Sequence, residues 1–166
     1  MTVSCSDNRA APEHQLVNLE RCEAQARAVL AGEGVVAGAT LDIALIDQDH
    51  ITELNEAHLG GTGPTDVLSF PMLEPHELAE LTNGAAGPPT MLGDIVICPD
   101  IVSQRRGDDT FDDAMDLMVV HGVLHILGHD HDIEERAVVM REREYHYLKR
   151  QTPTAARPSS PIEKQS

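Results

Sequence analysis

The strongest constraint on this chain is the stretch from Phe111 to Leu127. There Met115, Leu117, Met118, Val119, Val120 and Leu124 leave a helix almost no polar side. A helix that is apolar nearly all round has to be buried, so the rest of the domain must pack about it. The same helix carries His121 and His125 one turn apart on one face, where both imidazoles can point at a single ion. His131 could not join them on a continuing helix, because six residues past His125 is about 9 Å along the axis and roughly 240° round it. Gly128 supplies the break: a glycine just past the last turn accepts the left-handed conformation that ends a helix and lets the chain turn back. Two histidines at this spacing are common as core or surface residues, and it is the third histidine and the intervening glycine that point to metal. Three imidazoles occupying three corners of a tetrahedron leave the fourth for water, the open form of a catalytic zinc site. His129 competes for the third place but has less chain in which to turn.

The spacing H-x3-H-x2-G-x2-H matches the ligand geometry of metzincin proteases, H-E-x-x-H-x-x-G-x-x-H. Gly122 stands where those enzymes have the Glu that acts as general base in peptide hydrolysis. Ligand spacing alone therefore supports a zinc peptidase or amidohydrolase, and Gly122 opposes it.

The chain has 166 residues, enough for one domain with a single core. With no Trp, two Tyr and two Phe, that core must be aliphatic. No apolar run approaches the roughly 20 residues of a membrane span, and the first residues carry no basic-then-apolar leader, so a soluble cytoplasmic protein is expected. Cys5, Cys22 and Cys98 are odd in number and far apart, which fits reduced thiols better than disulfides or a thiolate metal site. The formal net charge is −16, and no Lys or Arg occurs between Arg27 and Arg105. Any surface for nucleic acid must draw on Arg105, Arg106, Arg136, Arg141, Arg143, Lys149 and Arg150. On the last helix the plainer reading is that the arginines pair with Glu134, Glu135, Glu142 and Glu144 on a solvated face.

Taken in order, residues 2–7 form an edge strand with Val3 and Cys5 on one side, and residues 8–14 a loop. Leu16, Leu19, Cys22, Ala26, Val29 and Leu30 recur at helical spacing over about 15–31. Residues 40–47 alternate as a strand, 51–58 form a short helix, and Gly60 to Pro64 is a flexible loop before a strand at 65–70. Residues 73–90 are hardest to read, with at most one helical turn at 77–81. Leu92 to Cys98 is an apolar strand that stops at Pro99, and a helix over about 100–106 follows. Asp108, Asp109 and Thr110 offer caps for the central helix. Asp112, Asp113 and Asp116 suit the positive end of its dipole better than a cation site. Asp132 caps a last helix over 133–150, with Glu135 completing a capping box. Residues 1–150 thus make one α+β domain, a small mixed β-sheet with packed helices and a central buried helix carrying the metal-binding histidines. Residues 151–166, with three Pro, three Ser and no apolar period, read as a disordered tail.

Three motifs in order carry a family resemblance: Pro64-Thr-Asp-Val-Leu-Ser-Phe-Pro71, Leu92-Gly-Asp-Ile-Val-Ile-Cys-Pro99 and His121 to His131. Together they resemble the YbeY family of bacterial rRNA-maturation endoribonucleases, over a span reaching from about the first strand to residue 150. The resemblance implies an α+β domain with the metal site in a cleft beside the sheet, near the glycine-rich loop and the 65–70 strand. It implies single-strand-specific, metal-dependent RNA cleavage in maturation of the small-subunit rRNA 3′ end and in ribosome quality control. The expected ligands of one zinc ion are His121, His125 and His131, with water at the fourth position, and ribosomal RNA and ribosome-assembly proteins are the expected partners. Asp66 and Asp94 lie in the other two motifs and are candidates for orienting a ligand histidine, or else for structural caps; the residues single out no general base. Leu59 stands where many relatives carry an arginine. A non-catalytic, zinc-stabilised ribosome-assembly factor is the non-enzymatic alternative.

Overall fold

The computed structural model describes residues 1–35, 38–83 and 87–149. The tail expected at 151–166 lies outside the described residues. Four strands, β1 (Thr2–Asp7), β2 (Ala39–Leu45), β3 (Val67–Pro71) and β4 (Thr90–Ile97), form one sheet in the order β1-β2-β4-β3. β1 and β4 run parallel to β2, and β3 runs antiparallel to β4. The sheet is therefore mixed, and the domain is α+β as its sequence implies. Among the described residues six α-helices, with a 3-10 turn at Pro12–His14, complete it: α1 (Leu19–Gly32), α2 (Gln48–His58), α3 (Pro75–Thr82), α4 (Pro99–Arg105), α5 (Phe111–Ile126) and α6 (Glu134–Leu148).

The strands sort their side chains by the two-residue period. Leu41, Ile43 and Leu45 of β2 and Ile95 and Ile97 of β4 face one core with α1, α5 and α6. Leu68 and Val96 face the other side, where Ile51 of α2 and Ile101 of α4 cover them. α5 is the buried centre: from Ala114 to Ile126 every residue except Asp116 is buried. Thr110 caps it, its Oγ1 accepting from Asp113 N at 3.1 Å. Asp112, Asp113 and Asp116 have a further use, because all three face Arg21 of α1, whose Nη2 lies 2.6 Å from Asp116 Oδ2.

Several boundaries differ from the periodic reading. α1 begins at Leu19, because Asn18 Oδ1 accepts from Arg21 N and caps it there, leaving Leu16 exposed. α3 is a full helix of eight residues, with Pro75 in its first turn and a capping box between Glu74 and Glu77. α6 is capped at Ile133 without a side-chain bond; Asp132, expected as the cap, pairs with Arg136 instead.

Gly93 shows how closely the layers approach. Its φ of +152° lies where β2 and β4 shift register, and a Cβ there would meet the Phe70 carbonyl oxygen and sit 2.7 Å from Ile126 Cδ1. Strained backbone and overpacking should both penalise Gly93→Ala, by about 2–5 kcal/mol together. A drop in melting temperature on the order of 10 °C is the expected result in a thermal scan.

Candidate metal centre

His121 and His125 lie on the buried part of α5, and Gly128, at φ +91°, turns the chain so that His131 comes back beside them. One ring nitrogen from each of the three falls within 4.8 Å of the others. The ring centroids are 4.8 Å (His121–His125), 5.3 Å (His125–His131) and 5.9 Å (His121–His131) apart. Around a tetrahedral ion with Zn–N bonds of about 2.0–2.1 Å, the donors stand roughly 3.4 Å apart, so small side-chain rotations close the set. The donor chemistry suits a metal such as zinc: three imidazoles, two buried and one partly exposed, with no thiolate to close the fourth side.

Glu144 of α6 meets the first of the three histidines. Its Oε1 accepts from His121 Nδ1, and the residue is only 2% exposed. A carboxylate on Nδ1 fixes the ring orientation and leaves Nε2 with the lone pair that a metal needs. The helical pattern carried the signal: Glu144 continues the buried stripe of Ala137 and Met140, whereas counting charges placed it among the solvated acids of α6. Of those acids, Glu134 does pair on the surface, with Arg141.

The carboxylates of the two strand motifs are placed differently from each other. Asp66 Oδ1 accepts from Val67 N and Thr65 Oγ1, so it caps its own turn. Burial pushes its carboxyl above the ordinary value, opposed chiefly by the charge of Arg105. Asp94 lies on the opposite face of the sheet, in a groove with Asp42, Phe70 and His58. Burial and then the Asp42 charge raise its carboxyl. His129 Nε2 lies 3.0 Å from Glu33 Oε2, and His129 is not part of the trio.

A cleft of about 1060 Å³ adjoins the centre, lined by His125, Ser69, Pro71, Leu78, Asp130 and Arg136 among others. The 67–71 strand thus borders it, as the resemblance implies. The glycine-rich loop does not line it: the Nδ2 of buried Asn55 donates to the Gly63 carbonyl and ties that loop back to α2, and α3 forms the wall instead. Leu59 ends α2 and packs, partly buried, on the cluster of Ile51, Leu68 and Val96. Gly122 presses against β4, where a Cβ would lie 2.9 Å from Ile95 Cγ2 and 3.4 Å from Ser69 Oγ.

A family model described as "Endoribonuclease YbeY" matches residues 8–152. A Salinispora tropica protein named endoribonuclease YbeY is 45% identical over 122 residues, covering 69% of this chain and 76% of that protein. One of the same name from Thermobifida fusca is 39% identical over 114 residues, covering 68% and 72%. Among solved structures, a Thermotoga maritima protein determined in solution aligns with TM-score 0.57 and 25% identity, covering 89% of this chain and 87% of that one.

Removing the carboxylate behind His121 tests the build of the centre. Glu144→Ala should weaken binding of an added divalent metal ion by about 10–100-fold in a chelator competition, and Glu144→Gln by less, since its amide oxygen still accepts from Nδ1.

Proposed function

The chain belongs to the YbeY endoribonuclease family, and from that membership we propose that it is a zinc-dependent endoribonuclease that cuts single-stranded RNA. Its place is in maturation of the small-subunit rRNA 3′ end and in ribosome quality control. The observation that carries the chemistry is the open three-histidine set at the edge of a cleft, with a buried glutamate behind one ligand. His121, His125 and His131 hold the ion, which when bound polarises a phosphoryl oxygen and lowers the pKa of water toward about 7.

The protein's own groups then have distinct tasks. Glu144 keeps His121 in the tautomer that ligates through Nε2. Ser69 Oγ donates to the Gly122 carbonyl at 3.1 Å and holds β3 against the ligand helix, so the cleft wall and the ligands share one rigid frame. Gly122 supports RNA cleavage over peptide hydrolysis: β4 occupies the space into which a Glu at this position would project.

Phosphate binding is economical in cations. Arg136 pairs with Asp132, Arg141 with Glu134 and Arg143 with Glu33, while Arg105 Nη2 donates to the Pro64 carbonyl. With formal charge −16 overall, delivery by ribosome-associated partners matters more than intrinsic affinity for naked RNA.

Incubating purified protein with single-stranded and duplex RNA, with and without a chelator, tests this reading. The single strand should be cut in a chelator-sensitive reaction, His125→Ala should lose at least about 100-fold in rate, and casein should stay intact. Gly122→Glu should destabilise the fold without creating peptidase activity. Binding to single-stranded RNA should show a slope no steeper than roughly −3 in log K against log salt, about four phosphate contacts. Cleavage that survives both the chelator and His125→Ala would refute the metal-dependent reading.

A further inference from the structure

We propose that Glu33, at the end of α1, is a positioning residue for the third metal ligand, holding the 128–131 turn through His129 so that His131 faces His121 and His125. This rests on the three-histidine metal reading. His121 is oriented by Glu144, but among the described residues no hydrogen bond is made to the His131 ring, which packs beside the rings of His121 and His125. Its placement therefore has to come from the backbone of the turn.

That turn is held from three sides, besides the local bond in which His131 N donates to Asp130 Oδ1 at 2.7 Å. Gly128 N and His129 N donate to the carbonyls of His125 and Leu124, each at 3.0 Å, which continues the end of α5. Arg136 Nη2 donates to the Gly128 carbonyl at 3.3 Å from an exposed side chain. The third hold is the partly buried one: Glu33 Oε2 takes His129 Nε2 at 3.0 Å, two residues before His131. Glu33 is itself fixed, because its Oε1 accepts from Tyr147 Oη at 2.7 Å and lies 3.6 Å from Arg143 Nη1. One carboxylate thus joins α1, α6 and the ligand turn, and it borders the cleft.

Its location is locally unfavourable. A carboxylate at the C-terminal end of a helix opposes the helix dipole, and α1 has no basic residue in its last turn to offset it. Positions that break a local rule and are then satisfied by long-range partners are where a site is being held. A tie between α1 and α6 would need only the Tyr147 bond, and the second oxygen is given to the turn instead.

The test uses the full chain and Co²⁺ as a spectroscopic probe of the histidine set. Glu33→Ala should weaken Co²⁺ binding roughly tenfold or more and alter the visible ligand-field bands as His131 withdraws. Glu33→Gln, which keeps an acceptor and a side chain of the same length, should restore most of both. His129→Ala should reproduce the Glu33→Ala effect, and the double variant should be no worse than either single one, since both break the same link. Unchanged Co²⁺ affinity and bands in Glu33→Ala and in His129→Ala, with only the melting temperature lowered, would show that Glu33 is merely a tie between helices. Additive losses in the double variant would also overturn the proposal. Failure of the metal reading is distinguishable: the unaltered protein would then bind no Co²⁺, or bind it equally well as His131→Ala.

Discussion

The structure depends on burying α5, a helix that carries two histidines of a candidate metal centre through an otherwise aliphatic core. Its apolar residues are shared among the sheet, α1, α4 and α6, so the helix has no freedom to rotate without exposing one of those faces. That immobility is what a metal centre needs, because the donor atoms must hold their places before the ion arrives. The cost is that two imidazoles lie inside the protein, where polar groups require partners. His121 meets this requirement through Glu144, brought in by a helix that begins after the ligand turn.

The end of α5 is where the core gives way to the site. Gly128 reverses the chain within a single residue, and the turn that follows is tied to α5, to α6 and to α1 in four residues. Gly93 and Gly122 let the sheet come close enough to serve as the opposite wall. A side chain at either position would push β4 away from the helix, and with it the cleft face that Ser69 secures through the Gly122 carbonyl. The absence of a glutamate beside His121 is thus part of how the ligand helix is seated, as well as a difference in chemistry.

Electrostatics separates the two sides of the sheet. On the histidine side three carboxylates have close partners: Glu144 accepts from His121, Glu33 is bonded by Tyr147 and His129 and lies near Arg143, and Asp116 pairs with Arg21. For Glu33, burial alone would raise the carboxyl, but donation from Tyr147 and His129 and the Arg143 charge outweigh it and hold it below the ordinary range. On the far side Asp42 and Asp94 lie across from each other in register, and Asp94 is raised.

The sequence by itself determined the parts whose information is local and periodic. The aliphatic run of α5, the i, i+4 histidines, the break at Gly128 and the alternation of β2 and β4 each follow from which residues lie one turn or two positions apart, and the structure keeps them. Which carboxylate meets His121 was hinted at by the spacing of Ala137, Met140 and Glu144 and decided by tertiary packing. Glu144 and Glu142 are both glutamates on one charged helix, and only the packing of Ala137 and Met140 turns the first inward to His121. Asp66 and Asp94 belong to motifs that frame the centre, yet one caps its own turn and the other faces the opposite side of the sheet, because a strand sends neighbouring residues to opposite faces. Glu33 is 96 residues from His129 along the chain, a separation over which composition and spacing carry no information. A contact of that kind exists only once the core has brought α1, α6 and the ligand turn together.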